Sequence, residues 1–317
     1  KEIYTIANKH LKLTSKDFVL DIGANDGTLL KYFKKKKIKT IGCEPAKNLS
    51  SQLKKNCDYL LNDFWSYEAL SKLFKEKKVL KKPKLITAIG MFYDLENPGK
   101  FISDAAKCLD NDGIFIAQLM CLNSMIEKND LGNICHEHLE FYSFKSLKYL
   151  FENNGFKIFK IEENNINGGS YRIFCKKNLE KSIDYKEKTT FSQINKFFKR
   201  VEKNKSETMK FIRKEVENGK KIFLYGASTK GNTLLQYYKI DQTLIPYAVE
   251  RSPEKWGKYT IGTGLKIISE KESRKLNPDY LFVMPYAFIS EFKKREKTWL
   301  KNGGKFILPY PKFKLIK

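Results

Sequence analysis

The chain has 317 residues, room for two medium domains with separate cores, and its 41% apolar and 14% aromatic content excludes a disordered protein. No apolar run reaches the roughly 18 residues of a membrane span, and the opening Lys1-Glu2-Ile3-Tyr4 begins a polar, helix-like segment without a secretory signal pattern. The formal net charge of +25 rests almost wholly on Lys, with Arg only at 172, 200, 213, 251, 274 and 295.

Runs such as Lys34-Lys35-Lys36-Lys37 lie between a helix and a strand, so a solvated surface and no nucleic-acid partner are expected. A field for an anionic ligand is the alternative. The six Cys show neither a C-x-x-C pair nor zinc spacing, which predicts reduced thiols, a cytoplasmic setting and no bound metal.

The first 180 or so residues alternate strand and helix signals, the pattern of an α/β domain with a parallel sheet covered on both faces. Phe18–Asp21 reads as a strand, followed by a helix over Thr28–Phe33 and a strand over Thr40–Cys43. Tyr59–Leu61 and Leu85–Ile89 are the next strands. A helix from Pro98 to Leu109 passes through the turn Asn111-Asp112-Gly113 into a strand at Ile114–Gln118. A helix over Phe144–Asn153 precedes two strands, Lys157–Glu162 and Ser170–Cys175, which Asn167-Gly168-Gly169 joins as an antiparallel hairpin.

Between about 186 and 218, Phe191, Ile194, Phe197, Phe198, Val201, Met209, Ile212 and Val216 recur at helical spacing. One or two long helices linking the halves are expected there. A second Rossmann-like unit then begins with the strand Ile222–Tyr225 and a helix ending at Tyr238. Strands at Leu244–Val249 and Tyr280–Met284, a helix from Ala287 to Leu300 and a strand at Lys305–Leu308 complete it. The expected division is 1–185 for a cofactor domain, 186–218 for a helical linker and 219–317 for a substrate domain.

Three loops carry the chemistry. The first, Asp21-x-Gly23-x-x-x-Gly27, lacks the G-x-G-x-x-G spacing that admits a dinucleotide pyrophosphate. It suits S-adenosylmethionine, which has no phosphate. Gly23 and Gly27 permit close backbone approach, and Asp21, Asn25 and Asp26 offer acidic and amide groups to the ammonium and sulfonium. Glu44, about 20 residues on, is placed to accept from the ribose hydroxyls. Asp63 and Phe64, after the third strand, suit the adenine amino group and ring.

The second loop is Cys135-His136-Glu137-His138, which holds two of the three His in the chain. It falls in a non-periodic stretch after the fifth strand, where an α/β fold places its chemistry. One imidazole acting as general base beside a carboxylate is the expected chemistry, with Tyr142 as donor to a developing oxyanion. A structural polar loop and a metal site are the alternatives. The third loop, Gly226 to Gly231, lacks the Lys-Ser/Thr of a Walker loop, because Asn232-Thr233 stand there. Its N–H groups and Lys230 at a helix start suit an anion, and a plain strand–helix turn is the alternative.

Taken together, these residues resemble the bacterial C-methyltransferases of nucleotide-linked keto-deoxysugars. The resemblance spans the chain and rests on Asp21 to Gly27, Cys-His-Glu-His-Leu-Glu-Phe-Tyr-Ser at 135–143, Asn167-Gly168-Gly169-Ser170-Tyr171-Arg172, Gly226 to Asn232, and Pro309-Tyr310-Pro311-Lys312. It implies S-adenosylmethionine as cofactor, a nucleoside-diphosphate sugar as substrate, His138 as base and Glu137 as its carboxylate. Gly169, Ser170, Arg172, Ser228, Lys230 and Asn232 would hold the substrate. The family's small N-terminal zinc-binding domain has no counterpart in this sequence, which begins without Met. Cys135 stands where many relatives have Tyr, and Tyr93 where some have His. A monomer or weak homo-oligomer is expected. A small-metabolite or glycan O- or N-methyltransferase and a non-catalytic sugar-nucleotide binder are the alternative functions.

Overall fold

Apolar runs that are buried on both sides dictate strands covered by helices, and the computed structural model, which describes residues 1–187, 189–284 and 288–317, has that arrangement twice. From the N-terminus come α1 (Glu2–Leu11), β1 (Phe18–Ile22), α2 (Leu30–Lys34), β2 (Lys39–Cys43), α3 (Ser50–Asn56), β3 (Tyr59–Leu61) and α4 (Tyr67–Lys77). Next are β4 (Leu85–Ile89), α5 (Pro98–Cys108), β5 (Ile114–Met120), α6 (Leu122–Glu127), α7 (Phe144–Glu152), β6 (Lys157–Asn164) and β7 (Ser170–Lys176). The remainder is α8 (Phe191–Glu217), β8 (Ile222–Tyr225), α9 (Thr229–Tyr238), β9 (Tyr247–Glu250), β10 (Lys266–Ser269), α10 (Glu270–Leu276), β11 (Tyr280–Val283), α11 (Ile289–Arg295), α12 (Lys297–Lys301), β12 (Lys305–Leu308) and β13 (Lys314–Ile316). The chain divides into two compact units, Lys1–Leu122 with Leu139–Glu187, and Asn123–His138 with Lys188–Lys317.

The first unit is a seven-stranded sheet in the order β3-β2-β1-β4-β5-β7-β6. Strands β1 to β5 run parallel, and β7 runs antiparallel between β5 and β6. This is the class I methyltransferase topology, an α/β sheet ending in the antiparallel hairpin that the glycines foretold. At its tip Asn167 (φ 53°), Gly168 (φ 91°) and Gly169 (φ 140°) reverse the chain. Alternate residues of each strand feed two cores. Val19, Leu85, Ile114 and Ile116 pack with Ala7 and Leu11 of α1, Leu30 and Phe33 of α2, and Leu53 of α3. Leu20, Ile22, Ile86 and Ala117 pack on the other face with Leu70 of α4, Ile102 and Ala105 of α5, and Phe151 of α7. All seven β5 residues are buried, as the centre of such a sandwich requires.

The second unit is a six-stranded sheet in the order β10-β9-β8-β11-β12-β13, parallel except for β13. The strand expected from Leu244 starts only at Tyr247, because Pro246 has no N–H for a ladder. The expected helix start at Ala287 lies outside the described residues, and two helices, α11 and α12, follow. The long periodic stretch is one 27-residue helix, α8, begun by a reciprocal Thr190–Gln193 capping box. Met209 and Ile212 of α8 pack into the second sheet's core with Ile222, Leu224 and Phe282.

Hydrogen bonds explain why residues 123–138 fold with this unit. Arg200 of α8 donates from Nε to Asn129 Oδ1 (2.7 Å) and from Nη2 to the Ile126 carbonyl (2.7 Å). Asn129 and Asn204 both donate to the Pro311 carbonyl, at 2.6 and 2.9 Å.

Arg172, expected to anchor a substrate anion, does something else. It stands on β7 at 1% exposure, with Nε on Gln118 Oε1 (2.9 Å) and Nη1 on Glu2 (2.9 Å) and Glu162 (3.2 Å). The guanidinium is consumed in tying α1 to the hairpin within the first unit. Removing it strands carboxylates and a buried amide, although Glu2 is itself largely exposed, which tempers the cost. Arg172→Ala is expected to lower stability by about 2–4 kcal/mol in denaturant titration. A melt indistinguishable from the parent's would contradict this role.

Candidate active site

In the first unit, strand order reverses between β1 and β4, and the crevice at such a reversal is where α/β sheets bind ligands. The loop after β1 turns through Gly23 (φ 71°), Asn25 (φ 50°) and Gly27 (φ 78°). A Cβ on Gly23 would lie 2.9 Å from Met91 Cγ, and one on Gly27 would lie 2.7 Å from Asn56 Cβ, so both positions require glycine. Gly90, just after the neighbouring β4, faces open space at the position of a Cβ.

Glu44 follows β2 and braces this loop. Its Oε2 accepts from the Asn25 N–H (3.0 Å) and its Oε1 from the Ala46 N–H (3.0 Å). Each oxygen keeps a second lone pair for a ligand. Asp26 is occupied locally, accepting from Thr28 N (2.9 Å) and Thr28 Oγ1 (2.8 Å). Asp63 accepts from the Phe64 N–H (2.8 Å), and the Phe64 ring is 76% exposed, an unused apolar face beside the β3 end.

Asp21 is the unusual group. It is buried, accepts from Thr87 Oγ1 at 2.6 Å, and among the described residues no ion pair reaches it. Burial pushes its carboxyl up to about 7; Glu44 adds to the rise and Thr87 opposes it. Thr87 escaped the sequence reading, although a hydroxyl inside the apolar strand Leu85–Ile89 was its signal.

The Cys135–His138 segment belongs to the second unit and is a tight turn, the His138 N–H donating to the Cys135 carbonyl (3.1 Å). His136 and Glu137 are exposed, Cys135 is buried and His138 is half-buried. His138 Nδ1 lies 2.8 Å from the Asn133 carbonyl oxygen. A carbonyl only accepts, so the neutral ring carries its proton on Nδ1 and its lone pair on Nε2. Burial holds the His138 pKa below its ordinary value, Lys230 lowers it further, and the Asn133 carbonyl and Glu137 oppose. Tyr142 belongs to the first unit; its hydroxyl is buried, kept protonated by burial, and hydrogen-bonds to none of the described residues.

Of the expected substrate residues, Ser170 is buried and donates to the Ile166 carbonyl (2.9 Å), beside Gly169, whose carbonyl accepts from Cys121 N (3.2 Å). Both serve the hairpin. In the second sheet a cavity of about 310 Å³ opens at the carboxyl ends of β8 and β9, lined by Gly226, Ser228, Glu250, Arg251, Lys255 and Arg295 among others. Ser228 caps α9 by accepting from Gly231 N (3.1 Å). Asn232 lies on α9 outside this lining, and Lys230 Nζ donates to Asn133 Oδ1. The cations nearest the cavity are therefore Arg251, Lys255 and Arg295, which sequence reading missed because only the fold gathers them.

Glu250 repeats the Glu44 arrangement. It accepts from Ala227 N (3.1 Å) and Ser252 N (3.2 Å), while Gly226 N donates to the Val249 carbonyl (2.9 Å) as Gly23 N does to that of Cys43 (2.9 Å). Among the described residues no helix is long and apolar enough to cross a membrane, and no group of three or more His, Cys, Asp or Glu could hold a metal ion.

Residues 6–161 match the family of methyltransferase domains, and residues 165–311 match the C-methyltransferase C-terminal domain. The chain is an S-adenosylmethionine-dependent methyltransferase. More particularly, it belongs with the C-methyltransferases that join these two domains. C-methyltransferase NovU of Streptomyces niveus is 24% identical over 331 residues, covering 100% of this chain and 77% of NovU. A solved S-adenosylmethionine-dependent methyltransferase from Clostridium acetobutylicum aligns at 12% identity over 55% of this chain and 89% of its own, with a TM-score of 0.43. Cyclopropane synthase MmaA2 from Mycobacterium tuberculosis aligns at 16% identity over 51% and 62%, with a TM-score of 0.40. Likenesses of that degree carry no argument about chemistry.

The first unit's crevice offers groups that suit the cofactor: a buried carboxyl that no cation reaches among the described residues, and an exposed aromatic face for a base. Asp21 also gives a pH signature. Its folded pKa of about 7 lies above the ordinary 3.8, so between these values the folded chain holds a proton that the unfolded chain has lost. This contribution is fully present below pH 4 and is lost as pH rises through about 7. Asp21→Asn, which keeps the acceptor for Thr87, is expected to gain on the parent between pH 4 and pH 8 by on the order of 2–4 kcal/mol. Parallel pH–stability curves for the two proteins would contradict the assignment.

Proposed function

We propose that this enzyme methylates carbon next to the ketone of a nucleoside-diphosphate keto-deoxysugar, with His138 removing the proton. The observation that carries this reading is the hydrogen bond of His138 Nδ1 to the Asn133 carbonyl, together with the downward pKa shift of the ring. The imidazole is neutral at physiological pH, its tautomer is fixed, and Nε2 holds the basic lone pair. A carbon acid beside a ketone calls for such a base together with a donor that stabilises the enolate oxygen. Tyr142, protonated and with an unused hydroxyl, is the donor among the expected residues.

Asp21, with Asn25 and Asp26 of the same loop, would hold the methionine part of the cofactor. Glu44 would accept from the ribose hydroxyls, Asp63 from the adenine amino group, and Phe64 would cover the ring. Bound there, S-adenosylmethionine supplies a methyl group made electrophilic by its sulfonium. His138 keeps the abstracted proton on Nε2, and Glu137 favours the resulting imidazolium.

Support for a sugar nucleotide comes from the second sheet. Its first loop and strand-end acid repeat the joint seen at Glu44, which suits Glu250 to a nucleoside hydroxyl. The Gly226–Ser228 loop, Arg251, Lys255 and Arg295 would meet the diphosphate. Two acids, Glu270 and Glu291, pair with Arg295 in the same cavity, so the anion competes with them.

Incubation with methyl-labelled S-adenosylmethionine and a panel of nucleoside-diphosphate keto-sugars, followed by mass spectrometry, is expected to place the label on carbon of one panel member. Label on oxygen or nitrogen, or none with any ketone, would overturn the reading. His138→Asn is expected to cut turnover by about 10²–10⁴-fold while calorimetry finds cofactor affinity near the parent's.

A further inference from the structure

The turn that carries the Asn133 carbonyl is held by two charged side chains that the reaction itself does not use. Asn133 is 3% exposed, and both ends of its amide are engaged. Nδ2 donates to Asp130 Oδ2 at 3.0 Å, and Oδ1 accepts from Lys230 Nζ. A carboxylate on one side and an ammonium on the other leave the amide only one orientation. Asp130 is itself buried, which raises its carboxyl pKa while Lys230 opposes, and its backbone N–H donates to the Met125 carbonyl (3.0 Å).

Backbone packing makes the clamp tight. A Cβ on Gly132 would lie 3.0 Å from the Lys230 carbonyl oxygen and 3.2 Å from its Cβ. The turn therefore rests directly on the first residues of α9, and a larger residue at 132 would lift it off. Asn129, next in the turn, is fastened by Arg200 and Pro311 as described above. A short polar turn thus acquires rigid supports from α8, α9 and the chain after β12.

We propose that Asp130, Asn133 and Lys230 form a positioning clamp for His138: the two charged side chains grip the Asn133 amide, and its carbonyl then fixes the imidazole on the Nδ1-protonated tautomer. None of the three touches the reacting atoms. The proposal rests on His138 being the base, and it reassigns Lys230, which the sequence suggested as an anion anchor. Lys230 also acts on the ring through its charge. Among the described residues, the charged groups that bear on His138 include Glu137 on its own segment and Lys230 from α9, with Asp130 behind Asn133. Lys230 favours the neutral ring, so its charge and its hydrogen bond serve the same end.

The test reads the ring itself and needs no substrate. In the full chain labelled with ¹⁵N-histidine, long-range ¹H–¹⁵N spectra across a pH titration report tautomer and pKa of each of the three His, with His138→Asn assigning the signal. The parent is expected to show His138 protonated on Nδ1 and titrating below the ordinary histidine range. Lys230→Met and Asn133→Ala should each mix the two tautomers, and Lys230→Met should also move the titration upward. Lys230→Arg, which keeps the charge and a donor, should restore the low titration and so guards against a folding defect.

With the keto-sugar that the panel above identifies, Lys230→Met should lower kcat by about 10- to 100-fold with KM little changed. Unaltered tautomer and titration in both Lys230→Met and Asn133→Ala would overturn the clamp. So would a Lys230→Met whose KM rises at parental kcat, which marks a substrate anchor. If His138→Asn turns over like the parent, the base assignment fails instead, whatever the spectra of the clamp variants show.

Discussion

A parallel strand must give up its loop N–H groups at the carboxyl end, and here a strand-end carboxylate receives them in both sheets. Glu44 holds the N–H groups of Asn25 and Ala46, and Glu250 those of Ala227 and Ser252. The same joint sets the height of each glycine loop above its sheet, since Gly23 and Gly226 donate to the Cys43 and Val249 carbonyls at the carboxyl end of the neighbouring strand. Without that restraint the positive-φ turns at Gly23 and Gly226 would have nothing to close on. One local solution thus shapes the loop at both reversals of strand order. The two differ in charge: among the described residues the first leaves a buried carboxyl without a cation, and the second gathers Arg251, Lys255 and Arg295.

These charges are what the proposed function draws on: under it a sulfonium cofactor would lie in the acidic crevice and an anionic nucleotide in the cationic cavity. The segment that carries His138, residues 123–138, interrupts the methyltransferase sheet in sequence yet folds with the second unit, through Arg200, Pro311 and Lys230. That attachment has an energetic meaning. An imidazole on a loop would sample several orientations, each lowering the fraction poised for proton transfer, whereas a carbonyl on a clamped turn selects one.

Much of the fold was legible in the sequence because burial on both faces leaves unbroken apolar strands such as Ile114–Met120, and because turns such as Asn167-Gly168-Gly169 demand positive φ. Helices α3, α4 and α10 were not foreseen; their Lys- and Glu-rich turns bury few residues, and a single stripe of Leu53, or of Leu70 and Leu73, is a weak period. The loop from Asp21 to Gly27 was legible as a local pattern, because Gly23 and Gly27 take positive φ. Arg172 was misread, because its partner Glu2 lies 170 residues away and nothing beside it in the sequence betrays the pair. The contact of Lys230 with Asn133 was hidden for the same reason, since it spans 97 residues. The non-periodic stretch around His136 and His138 is a turn, which exposes the first and half-buries the second.

The central claim is that His138 takes a proton from carbon beside a ketone. It is tested most directly by following hydrogen exchange at that carbon in deuterated water, with a nucleoside-diphosphate keto-sugar and with S-adenosylhomocysteine in place of the methyl donor. The account predicts exchange in the parent and in His136→Asn, and its disappearance in His138→Asn. Exchange that persists at the parental rate in His138→Asn and vanishes in His136→Asn would contradict it.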